Sequence, residues 1–417
     1  SRNARFELAI TGDHCGDEGR ILEGTRRIVE TCGRMFPGFP FDRYVFLLTF
    51  SPGARGGLEH RDSTSLLADA FSLAKPEGYY ELFTLIAHEF FHAWNVKRLR
   101  AAELGPFDYG RENPTKLLWF HEGFTNFIQY GLVMKSGTAP WPWVARKLAQ
   151  AWTDNTTRSG RFEQSLEESS FDAWIRFYKP TEFSTNSTVS YYDKGSLVAW
   201  LMDARIRLAS EGRLGVEDYV RGLWDRFGDG PIMDDDLREA FRSMTGEDPA
   251  PFWNDYIGGV KELDAGPVER AYGIKLARLA PWEALSADDL ADPEAIARAQ
   301  VYAGWTLAAD APTIQNIIPG SPAAEAGLAY QQEILAVNGW RTATAAEVAH
   351  RIGDGKVGDA VEVLATDRGR VKRYAFALKE SPLRITRITP SLKPAPAQRE
   401  AFRAWTGQPL PAGKRRW

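Results

Sequence analysis

Two histidines four positions apart, with a glutamate between them, constrain this chain more than any other feature: His88-Glu89-Phe90-Phe91-His92. The flanks, Leu85-Ile86-Ala87 and Ala93-Trp94, are strong helix material. On a helix, residues four apart share a face, so both imidazoles can point at one metal ion. Glu89 then projects toward the same place and can serve a metal-activated water as general base. The spacing alone also occurs by chance in helices, where it means a solvated glutamate and two ordinary histidines.

A catalytic zinc usually takes three protein donors. The candidate for the third is Glu122, in Trp119-Phe120-His121-Glu122-Gly123-Phe124-Thr125, on the next strongly helical segment. A hairpin of two helices would return it to the histidines. His121 should face away, because consecutive helix positions are about 100° apart.

The surrounding chain is that of a soluble globular protein. It has 417 residues, 44% hydrophobic and 25% charged, which predicts two or three domains. A formal net charge of −4 argues against nucleic acid as the main partner. No apolar run reaches membrane-spanning length. The two cysteines, Cys15 and Cys32, have no metal-type spacing, and one disulfide or two free thiols both remain open. Strand-like alternation begins at Phe6, so close to Ser1 that upstream sequence is expected to be lacking.

Residues 6–10 and 44–50 read as strands around a helix from Gly19 to Met35. From about 62 to 255 the pattern is helical, with Ser63-Thr64-Ser65 capping a helix that carries Leu66, Leu67, Ala70 and Phe71. Residues 265–300 look like a connector. Short strands follow: 313–318, 333–337, and a hairpin of 360–365 with 371–378 about Asp367-Arg368-Gly369. Beyond 383, Pro, Ala and Arg predominate, and the basic end Lys414-Arg415-Arg416-Trp417 reads as a solvated surface tail.

Several separated motifs together resemble the gluzincin metallopeptidases, which include thermolysin-like and aminopeptidase N enzymes. Within these the chain most resembles the PDZ-containing glycyl aminopeptidases. The residues that carry this are Gly56-Gly57-Leu58-Glu59-His60, His88 to Arg98, Trp119 to Thr125, Gln164 to Trp174, and Ser190-Tyr191-Tyr192-Asp193-Lys194-Gly195. The resemblance implies an α+β fold: a thermolysin-like, mainly helical catalytic domain over 1–264 with an N-terminal β-containing part. A PDZ-like β-rich domain with its connector would occupy 265–382, and a tail 383–417. The stretches Tyr302-Ala303-Gly304-Trp305, Ile317 to Ala324 and Glu333 to Gly339 carry the PDZ likeness, with Gln331-Gln332 where Gly-Asp is common.

The implied activity is a zinc aminopeptidase, one Zn2+ per chain held by His88, His92 and Glu122, acting on peptides with free amino termini that begin with Gly or Ala. Glu89 would be the base, and Tyr192, at the place of the tyrosine in a Y-x-K-G motif, the donor to the developing oxyanion. Tyr191 is its neighbour and rival. Taken alone, Glu59 reads rather as a glutamate in a surface turn; the resemblance makes it the anchor of the substrate ammonium, with Gly57 and His60 beside it. The PDZ-like domain implies binding of a peptide or chain terminus by strand addition. Related members are cytosolic or exported, so a bacterial cytoplasm or periplasm is expected, the latter slightly favoured. A zinc endopeptidase and a PDZ-based binding protein with an idle metal site are the alternatives.

Overall fold

Strict alternation in the strand β2 (Arg43–Ser51) turns Tyr44, Phe46, Leu48 and Phe50 into one buried face. In the computed structural model, which describes residues 4–413 apart from the side chains of 287 and 288, this strand is central to a four-stranded sheet. Its order is β1-β2-β4-β3, with β1 (Arg5–Thr11) and β4 (Ser63–Asp69) parallel to β2 and β3 (Gly56–Glu59) antiparallel to β4. The expected cap and helix at 63–71 is therefore a strand. Thr64, Leu66 and Ala68 face inward, and both edges are paired, by β2 and β3. Pairing on both sides outweighs a weak local helix-start signal.

Helix α2 (Pro76–Phe91) packs on that buried face, and α1 (Glu18–Gly33) packs against α2. Phe90 of α2 meets Tyr44 at 5.0 Å and Phe46 at 5.5 Å between ring centroids. This fixes the rotation of α2, and with it the direction of His88. Helices α3 (Thr125–Lys135), α4 (Trp141–Thr157) and the long helix Asp193–Ala209 pack next in the same body. Cys15 and Cys32 are both free thiols, Cys32 buried.

A second core, including Ile314, Ile334, Val337, Val348, Val361 and Val363, belongs to a separate β-rich module. Its hairpin Ala360–Asp367/Arg370–Ala377 turns at Arg368 and Gly369, both with positive φ (50° and 81°), as a tight two-residue hairpin demands. Gln331 also takes positive φ (64°).

The expected boundaries at 264 and 383 need correction. The helix Gly266–Tyr272 and strand Ile274–Leu279 lie before the module, and strand Ile385–Pro390 and helix Pro396–Thr406 after it. The two strands pair antiparallel, and Val268, Tyr272, Phe402 and Trp405 join the core of the first body. Phe402 packs 4.9 Å from Trp141, and Trp405 5.7 Å from Trp200. The module is thus an insertion in the larger body, not a terminal addition. Apolar residues at 402 and 405 bury one helical face within a stretch whose Pro, Ala and Arg content suggested solvent. The basic end at 414–417 lies outside the described residues.

Candidate metal site

Near its carboxyl end α2 turns from an apolar helix into a donor surface. His88 Nδ1 lies 3.1 Å from Gln129 Oε1, and His92 Nδ1 lies 2.7 Å from the Asn95 carbonyl. Gln129 is oriented by its own amide, which donates to Asn126 Oδ1 at 3.2 Å. Both acceptors are oxygens, so each Nδ1 carries the proton and each Nε2 presents a lone pair. Those two Nε2 atoms face one another at 3.0 Å.

Glu122 closes the triangle. Its Oε2 is 3.2 Å from His88 Nε2 and 3.3 Å from His92 Nε2, without hydrogen-bond geometry to either. Three electron-rich atoms crowded this way repel unless a cation lies among them. Tetrahedral zinc with bonds of about 2.0–2.1 Å needs donor–donor edges of about 3.3–3.4 Å, close to the observed separations. The three residues could therefore hold a metal ion. Burial works against charge on His92, yet Glu122, Glu59 and Glu89 raise its pKa to about 10, so the carboxylates here favour a positive charge, a proton when no metal is bound.

Glu122 sits in a π-helical turn, Trp119–Phe124, that runs into α3. Such wide turns re-aim a side chain within a helix. The turn crosses the start of helix Asp193–Ala209 at a glycine pair: a Cβ on Gly123 would meet Gly195 Cα at 2.5 Å. That contact sets Glu122 and Tyr192, three residues before Gly195, on opposite walls of one cleft. Tyr192 lies over His88, the two rings 6.4 Å apart. Burial first, then Glu122 and two neighbouring tyrosines, raise its pKa far above the ordinary value, so its phenol stays a donor. The Tyr192 hydroxyl is 3.3 Å from that of Tyr178, which also accepts from Tyr191 at 3.4 Å. Tyr191 is buried against Phe177 and does not stack on His88.

Glu89 is buried and one carboxylate oxygen has no hydrogen-bond partner. Burial raises its pKa, against the pull of His88 and His92. Gly57 on β3 makes room for it: a Cβ there would lie 2.1 Å from Glu89 Oε1 and 2.5 Å from its Cγ. Gly57→Ala should therefore rotate Glu89 away and lower turnover roughly a hundredfold. Metal content should stay at the wild-type level, since neither histidine is touched. Parallel kinetics and metal analysis check this; an unaltered kcat would refute the packing argument.

Residues alternate along β3, so Glu59 shares the inner face with Gly57. Its carboxylate lies within 4.8 Å of the donor atoms of Glu89 and His92 and pairs with Lys97 Nζ at 3.1 Å. His60, expected beside the substrate, instead stays out of the group. The same alternation turns it outward, exposed, with Nδ1 3.1 Å from the Leu58 carbonyl. His121 does turn from the donors, but not toward the cleft. It is fully buried, bonded at Nδ1 to Asn95 Oδ1 (2.8 Å), and accepts from the Ala101 N–H at Nε2 (3.0 Å). Burial pushes its pKa down to about 3, so it is a neutral strut.

Asn95 and Gln129 are the residues that motif reading missed. Asn95 holds His92 through its carbonyl and the Glu122 turn through its amide, which donates to the Phe120 and His121 carbonyls, both at 3.3 Å. Neither stands out in the sequence, because nothing local links 95 to 120 or 129 to 88. Arg98 pins the same segment to the β3–β4 turn through the Arg61 carbonyl (2.7 Å) and Asp62 (2.6 Å).

Two cavities flank the donors. One, about 1250 Å3, includes Glu59, Lys97, Trp174, Tyr178 and Tyr192 in its walls. The other, about 770 Å3, includes Gly57, His88, Gln129, Lys147 and Tyr192. Gly57 and Tyr192 line both cavities, and Glu89 lines the smaller one.

Over residues 81–198 the chain matches the family model of the M61 glycyl aminopeptidases. Among solved structures it is similar to an aminopeptidase N family protein from Idiomarina loihiensis: 27% identity, 96% of this chain and 68% of that chain covered, TM-score 0.86. A serine endoprotease from Yersinia pestis is 23% identical over 20% of this chain and 29% of that one; at a TM-score of 0.18 it carries no argument. No curated protein matches.

Proposed function

We propose, from its match to the M61 glycyl aminopeptidase family model, that this peptidase is a zinc-dependent aminopeptidase releasing the first residue of peptides. One observation carries the reading: two Nε2 nitrogens and a carboxylate oxygen converge at 3.0–3.3 Å beside a buried glutamate with one unpartnered oxygen. A bound zinc ion supplies Lewis-acid activation of water and of the peptide carbonyl. His88, His92 and Glu122 hold it. Glu89, its pKa raised by burial, takes the proton of the attacking water and returns it to the leaving amine. Tyr192 donates to the carbonyl oxygen as that oxygen becomes negative. Glu59 binds the substrate ammonium, which makes the cleft count from the amino end. The family match supports Gly or Ala as the first residue.

The inserted module is read as PDZ-like, with strand addition as its binding mode. Its own apolar core supports an independent unit.

Chelation should abolish hydrolysis of amino-acyl substrates, and zinc should restore it. Glu59→Gln should raise KM for them and erode their preference over N-acetylated ones. Activity that survives complete metal removal rules out the metal mechanism. Equal cleavage of N-acetylated peptides by the wild type selects the endopeptidase alternative.

A further inference from the structure

We infer that the Lys97 ammonium is the resident occupant of the amine subsite, so that a substrate's amino terminus binds by displacing it from Glu59. This rests on the reading of Glu59 as the amine anchor. Lys97 Nζ lies 3.1 Å from Glu59 Oε1, and both residues line the larger cavity. A lysine head group and a peptide's amino terminus are the same chemical object, an ammonium with three donors. What satisfies one on this carboxylate satisfies the other.

The geometry suits exchange rather than permanent pairing. The backbone of Lys97 is held, its N–H donating to the His92 carbonyl at 3.0 Å, and Arg98 next to it is pinned to the β3–β4 turn. The side chain is 26% exposed at the cavity wall, so a flexible four-carbon stem can carry the charge into solvent. Charge balance points the same way. Three carboxylates, Glu59, Glu89 and Glu122, are offset by a divalent ion and Lys97 together. An arriving ammonium makes Lys97 the surplus cation, and it is the one free to leave. A blocked amino terminus brings no charge and cannot evict Lys97, so the lysine sharpens the demand for a free amine.

The test compares steady-state kinetics on an alanyl anilide for the wild type, Lys97→Met, Lys97→Gln, Glu59→Gln and the Glu59→Gln/Lys97→Met pair. Both Lys97 substitutions should lower KM about two- to fivefold, the range for breaking a partly exposed ion pair, with kcat changing less than KM. In the Glu59→Gln background the Lys97 substitution should have no further effect on KM. A KM that rises or stays put in both Lys97 variants overturns the inference, as does an equal fall without Glu59. If Glu59→Gln leaves the preference over the N-acetylated anilide intact, the amine-anchor reading itself falls, and the inference with it.

Discussion

Glu89→Gln is expected to leave metal affinity intact and to lower hydrolysis by a factor of about 10²–10⁴, the contribution of a positioned general base. The substitution is nearly isosteric, so the packing against Gly57 survives, and Glu89 is not among the three converging donors. The glutamine amide can neither take the proton from water nor return it to the leaving amine. Removing a buried carboxylate whose pKa is already raised by desolvation should leave stability unchanged or slightly improved. The check is metal content, Tm and kcat on one preparation. Retained turnover would falsify the assignment of Glu89; lost metal would move Glu89 into the donor set.

Gly123→Ala is expected to damage the site without touching any donor. The added methyl would lie 2.5 Å from both Cα and the carbonyl carbon of Gly195, which are backbone and cannot rotate away. Either the π-helical turn or the helix Asp193–Ala209 must move. Overpacking of this kind costs about 1–3 kcal/mol, occasionally more, or roughly 1–2 °C of Tm per kcal/mol in a body of this size. The displacement separates Glu122 from the histidines and Tyr192 from the cleft, so metal affinity and turnover should fall together. Thermal unfolding and zinc titration test this. A variant as stable and as tightly metallated as the wild type would show that the crossing has slack.

Much of the centre is legible in the chain because its spacing is local. His88, Glu89 and His92 share one helix, and their relation depends on helical period alone. Glu122 and Tyr192 are reachable only through the motifs that resemble a known family, which include Gly123 and Gly195; the structure shows that those glycines are in mutual contact. Glu59 is not legible from its own residues. A turn and a strand facing a metal cleft look the same in Gly-Gly-Leu-Glu-His, and β3 becomes a strand through its pairing with β4.

Legible in the residues alone is therefore the short-range geometry: two imidazoles on one helical face with a carboxylate beside them, alternation in β2, and the hairpin at Arg368-Gly369. The tertiary structure decided the rest: β4 as a strand, the chain beyond 383 in the main core, His60 outside the cleft, and Asn95 and Gln129 behind the histidines. The physical reason is range. Helical period and turn conformation are set within a few residues, whereas pairing, burial and the partner of a buried polar atom depend on segments tens to hundreds of residues away.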